Sequence, residues 1–136
     1  MSEFQINGET YQARKLPAIE QFHLGRRLAH VLSFLAAQED RSKLAEAFPR
    51  AFTALSVHIS QEDMDAVVKT CWGAVQRRQP TGWVPVAPNG MLMFSDIDDM
   101  RCMLQVIWQV LNANGLIDFF GESPSASGTG TTQVIG

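Results

Sequence analysis

One segment limits the possible folds more than any other. From Asp96 to about Ala113 the chain reads as a helix that is apolar around too much of its circumference for a surface element. Ile97, Met100, Leu104, Ile107, Trp108 and Leu111 make one core stripe. Met103, Val106 and Val110 widen it to roughly 200°, about twice the arc a surface helix needs. Such a helix is either central to the fold or leaves an apolar strip for a partner. Met93, Met100 and Met103 lie in it or just before it, and adaptable thioethers suit a surface that meets imperfectly repeating apolar sequence. A methionine-filled core is the competing reading. Ser95 with Asp98 gives an N-cap signature, and Asn114-Gly115 gives a C-cap. Leu116, Ile117, Phe119 and Phe120 follow as a short apolar coda.

The rest of the chain divides into similar short elements. Phe4-Gln5-Ile6 and Tyr11-Gln12-Ala13 alternate apolar and polar residues about Asn7-Gly8, a favoured two-residue hairpin turn. An isolated hairpin is marginal in water, so it must pack on something or pair with another chain. Pro17 marks a helix start. The helix runs to about Ala37, with Leu24, Leu28, Val31, Leu32 and Leu35 on one face and Glu20, His23, Arg26, Arg27 and His30 on the other. From Arg41 a second helical stretch carries Leu44, Phe48, Phe52 and Leu55, and Pro49 is expected to split it into two pieces. Ser60 caps a third helix with Met64, Val67, Val68, Cys71, Trp72 and Val75 on one stripe, closed by Arg77-Arg78 in its last turn. Trp83–Val86 and Met91–Phe94 then read as a second hairpin, with Pro85 on an edge strand. Beyond Gly121, serine, glycine and threonine leave nothing to bury.

Composition excludes more than it identifies. The chain has 136 residues, enough for one domain that needs neither disulfides nor metal for a core. Its net charge of −3 argues against a general nucleic-acid binder. Residues 1–50, the most basic region, hold seven basic and six acidic side chains, so the arginine doublets there read as solvated helix faces. Cys71 and Cys102 lack metal-ligand spacing and read as small, reduced core residues. There is no basic and apolar leader pattern, and no run approaches the roughly 18 apolar residues of a membrane span. His23 and His30 lie seven apart with Arg26 and Arg27 between them, and His58 stands alone in sequence, so no metal site is expected. Asp96, Asp98 and Asp99 suit the positive end of a helix better than a cation. No phosphate-binding loop or nucleophile elbow occurs. Neither a catalytic residue, nor a metal ligand, nor a cofactor is therefore expected.

Ordered short matches along the chain do carry a resemblance. Tyr11-x-Ala13-Arg14-Lys15-Leu16, Gln21-Phe22-His23 and Arg26-Arg27-Leu28 open it. Asp63-Met64-Asp65, Cys71, Val75-Gln76-Arg77-Arg78 and Gly82-Trp83 continue it. Met93-Phe94, Asp96-Ile97, Met103-Leu104, Val106-Ile107-Trp108 and Asp118-Phe119-Phe120 close it. Over about residues 8 to 120 the chain resembles the tail assembly chaperones of long, non-contractile-tailed phages, or siphoviruses. The resemblance implies a mainly helical, self-associating, non-enzymatic protein of the host cytoplasm. Such a protein coats the tape measure protein and keeps it soluble until the tail tube polymerises around it. It also implies a programmed frameshift near the gene's end, giving a minor, longer product that engages the tail tube protein. The Gly/Ser/Thr-rich stretch resembles the linker where that extension begins.

The expected fold is mainly α with two short β-hairpins, a small α+β single domain built as a helical bundle over residues 1–120. Residues 121–136 are expected to form a flexible tail. Met103, Val106, Val110, Leu116, Phe119 and Phe120 are the expected client or oligomer contacts. Residues 95–122 hold five acids and one base, which would edge that strip with carboxylates. The alternative is a small helical regulator that binds nucleic acid or a protein partner through Arg14, Arg26, Arg27, Arg77 and Arg78.

Overall fold

Asn7 and Gly8 both take positive φ, 52° and 84°, and close the first hairpin, β1 (Ser2–Ile6) and β2 (Glu9–Ala13). The computed structural model describes residues 2–121; the tail expected from 121 onward lies outside them, apart from Gly121, which ends the last helix. The hairpin finds its partner within the chain. β2 pairs antiparallel with β3 (Val75–Gln79), which pairs with β4 (Gly82–Pro85), giving a four-stranded sheet in the order β1-β2-β3-β4. Phe4, Ile6, Tyr11, Ala13 and Val75 are buried on the face turned to the helices, as strand alternation requires.

The second hairpin is therefore not the one expected from residues 83–86 and 91–94. Its strands are β3 and β4, joined across Pro80-Thr81, and Arg77-Arg78 lie in a strand rather than in the last turn of a helix. The preceding helix, α4 (Gln61–Gly73), has already ended. A single backbone bond from Met93 N–H to the Val86 carbonyl, 2.8 Å, is what remains of the expected pairing. Arg77 hides the strand's period of two, because it is a charged residue on the inward face. Its side chain is only 12% exposed and lies 4.4 Å from the Phe94 ring centroid. Asp96 and Glu9 flank it at 3.0 and 3.6 Å. Burial works against its charge, but the Asp96 hydrogen bond and the two carboxylates outweigh that and keep its pKa above the ordinary value.

Two further helix boundaries differ from expectation. The helix after Pro17 is divided at Leu28 into α1 (Ala18–Arg27) and α2 (Ala29–Ala36). α1 then lies against α4, while α2 lies against α3 (Leu44–Leu55) and the last helix, α6 (Leu116–Gly121). Leu24, Leu28, Val31, Leu32 and Leu35 are all buried. Pro49, by contrast, does not split α3, which runs through it. Leu44, Phe48 and Phe52 bury one face on both sides of the proline, whereas Pro49 and Ala45 are exposed. The hydrogen bond Pro49 cannot make is thus lost on the wet side, where water can satisfy the Ala45 carbonyl.

α5 (Met100–Ala113) answers the question its width poses. It touches α3, α4, α6, β1 and β2, and Cys102, Leu104, Val106, Ile107, Val110 and Leu111 are all buried. The helix is wide because it is central. Its N-cap is Asp99, whose carboxylate accepts the Cys102 amide at 2.8 Å, and that bond holds the Asp99 pKa below its usual value. Ser95 makes no such cap, and Met100, expected in the core stripe, is exposed at the helix's first turn.

Candidate functional site

α1 has two apolar sides. Leu24 faces the core, and Phe22 lies roughly 200° away around the helix, at about 100° per residue. Phe22 is 62% exposed. The C-terminal residue of α5 is followed by Asn114 and by Gly115 at φ 64°, a backbone turn that swings α6 back against α2. Arg41 secures α6 from outside, its guanidinium 2.6 Å from the Asp118 carboxylate. Between α1 and α6 this leaves a groove of about 700 Å³.

The groove is apolar and its base is made of small residues. Ala18 and Gly25 of α1, with Ala29 at the start of α2, line one side, and Leu116, Phe119 and Phe120 of α6 line the other. The absence of a side chain at Gly25 admits the Phe120 ring, whose Cε1 would stand 3.4 Å from a Cβ there. Phe119 meets Phe120 edge to face, centroids 5.6 Å apart, and is 69% exposed. Phe22 and Phe119 therefore stand as two aromatic walls. The polar atoms at one end are already engaged: Asn114 Oδ1 accepts from the Leu16 amide and from Gln21 Nε2. Arg26 at the rim donates to His23 Nδ1 at 3.0 Å. Nothing in this arrangement resembles a nucleophile with its base.

The six residues expected as contacts separate into two places. Leu116, Phe119 and Phe120 come together in the groove, with Leu116 buried and Phe120 half-buried. Val106 and Val110 are buried in the core, at 1% and 0% exposure, and Met103 is half-buried against that core. Phe22, Gly25 and Ala29, which complete the groove, were not expected. Their signal is in the sequence: Ile19 and Phe22 are spaced i, i+3 on the side of the helix opposite the leucines, among charged residues that mask them.

Four ion pairs join charged side chains among the described residues. Asp96 holds Arg77 and Asp99 caps α5, while Asp118, paired with Arg41, lines the groove. Arg27 bonds Asp63 at 3.0 Å, and with Arg77 it is taken out of any basic surface. His58 is not alone in space, since its ring centroid lies 5.7 Å from that of His30. Among the described residues no three His, Cys, Asp or Glu side chains gather as a metal site, and no helix is long and apolar enough to cross a membrane. Burial pushes the Cys71 thiol up to about 12, a poor nucleophile.

The described residues form a small α+β domain of six α-helices and one four-stranded antiparallel sheet. The chain belongs to the phage tail assembly chaperone family, a non-enzymatic family whose model matches residues 7–128. No curated protein and no solved structure matches the chain.

Proposed function

We propose that this chaperone coats and solubilises the tape measure protein during tail morphogenesis in the host cytoplasm, and that the groove between α1 and α6 receives the client. The observation that carries the reading is the pair of exposed aromatic walls, Phe22 and Phe119, beside Ala18, Ala29 and the Phe120 ring that covers Gly25. A long tape measure protein presents apolar helical stripes. Ala18 and Ala29 leave room for a helix to enter, and Phe22, Phe119 and Phe120 supply apolar area without demanding one client sequence. Leu116 forms part of the same lining. Met103 offers a smaller contact elsewhere, while Val106 and Val110 serve by seating α5, against which α6 rests.

Self-association places several grooves along one client. A longer frameshifted product, extended beyond the Gly/Ser/Thr-rich stretch, carries the contact with the tail tube protein. Family membership supports the setting; the groove supports the mode of binding. The test is co-expression with the tape measure protein of the same tail. The client should stay in the supernatant and copurify with the chaperone, and should sediment when expressed alone. A client equally soluble without the chaperone would contradict the reading. A salt titration against duplex DNA separates it from the regulator alternative, for which strong, salt-sensitive binding is required.

A further inference from the structure

The sheet has two edges, and only one is blunted. On β4 the outward-facing residues are Trp83 and Pro85, and proline has no N–H to offer. The chain then returns alongside, with Met93 bonded to Val86. On β1 there is neither proline nor bulge, and among the described residues its only strand partner is β2. The two-residue turn makes Ile6 and Glu9 a hydrogen-bonded pair. By alternation Phe4 with Tyr11 and Ser2 with Ala13 are also bonded pairs. The backbone N–H and C=O groups of Glu3 and Gln5 therefore point out of the sheet. Both residues are exposed.

We propose that β1 is a self-association edge, pairing antiparallel with β1 of a second copy about a two-fold axis at Phe4. This names the surface for the self-association proposed above and rests on that reading. Three symmetric registers are available to so short a strand. Centring on Glu3 sets two like charges directly opposite each other and brings Gln5 against the first residue of the partner. Centring on Gln5 sets Glu3 against Asn7, which has already left the strand at positive φ. Centring on Phe4 alone pairs Glu3 with the partner's Gln5 and Gln5 with the partner's Glu3. All four outward groups on each strand then bond, and no charge faces its like. The two Phe4 rings, each already stacked on its own Tyr11 at 5.7 Å, become neighbours on the helix-facing side. The result is one continuous eight-stranded sheet.

The register can be tested without disturbing the core, because the Glu3 and Gln5 side chains lie on the outer face and Cys71 and Cys102 are buried. Full-length Glu3→Cys and Gln5→Cys chains, mixed and oxidised, should form the mixed disulfide dimer several-fold more than either chain alone. Bonded antiparallel pairs lie about 5.5 Å apart at Cα, within disulfide reach. Gln5→Pro removes an outward N–H and no bond to β2, so it should halve the sedimenting mass while leaving the circular dichroism spectrum unchanged. Should Gln5→Pro unfold the chain, the cysteine mixture still decides. A chain that self-associates but forms no preferential mixed disulfide would refute the β1 edge and leave self-association standing. A chain that sediments as a monomer at all concentrations would overturn both.

Discussion

The side-chain oxygen of Asn114 accepts the backbone N–H of Leu16 at 2.7 Å, across 98 residues of sequence. Its amide nitrogen donates to the carbonyl of Val110 at 2.9 Å and of Arg14 at 3.4 Å. One side chain thus fastens the connection between β2 and α1 to the end of α5. Asn114→Ala should lower stability by about 1–3 kcal/mol, because the Leu16 amide loses its acceptor in a partly buried place. Urea unfolding checks this, with a lower midpoint and an unchanged slope expected.

Pro49 in mid-helix is tolerated rather than required. Pro49→Ala restores an N–H that can bond the Ala45 carbonyl, and Pro49 is exposed, so nothing in the core changes. A helix-interior proline costs about 3 kcal/mol against alanine, offset by up to about 1 kcal/mol from its stiffening of the unfolded chain. The variant should therefore be more stable than the parent by about 2–3 kcal/mol in thermal or urea unfolding. A less stable variant would show that the proline shapes α3.

Cys71 makes stability fall in alkali. Burial raises its folded pKa to about 12 from an ordinary 9.0, so the folded chain keeps the proton where the unfolded chain releases it. The contribution is whole below about pH 9 and is lost progressively as pH rises toward about 12. The pH-dependent loss should be smaller in Cys71→Ala than in the parent, measured as the difference between their urea midpoints from pH 8 to 10.5. The thiols give a second readout: both cysteines are buried, so a thiol reagent should label them slowly in the folded chain and rapidly in urea.

What the sequence makes legible depends on how far a residue's partners lie. The first hairpin is readable because Asn7-Gly8 and the alternation around it are local. The leucine face of α1 and α2 and the excess apolar arc of α5 are readable because helical periodicity is local too. Arg77 is not, since a charged residue facing inward makes sense only once Phe94, Asp96 and Glu9 are brought to it. The same holds for Pro49, whose helix survives because Leu44, Phe48 and Phe52 are held by other elements. The groove was half visible. Phe119 and Phe120 stand out in a short apolar run, while Phe22 hides among charges and Gly25 has meaning only beneath the Phe120 ring. Core positions on α5 and groove positions on α6 are alike in composition, and only the fold separates Val106 and Val110 from Phe119. Val110→Glu would therefore unfold the chain rather than report on binding.

In the proposed complex the client rests between Phe22 and Phe119. Both side chains are more than half exposed, so replacing each with serine should change stability by no more than about 1 kcal/mol. The decisive measurement is the fraction of tape measure protein in the supernatant on co-expression with the Phe22→Ser, Phe119→Ser double variant. The groove account predicts that the client moves to the pellet while the variant itself stays soluble, with the parent's circular dichroism spectrum. A client held in solution by the folded double variant as well as by the parent would contradict it.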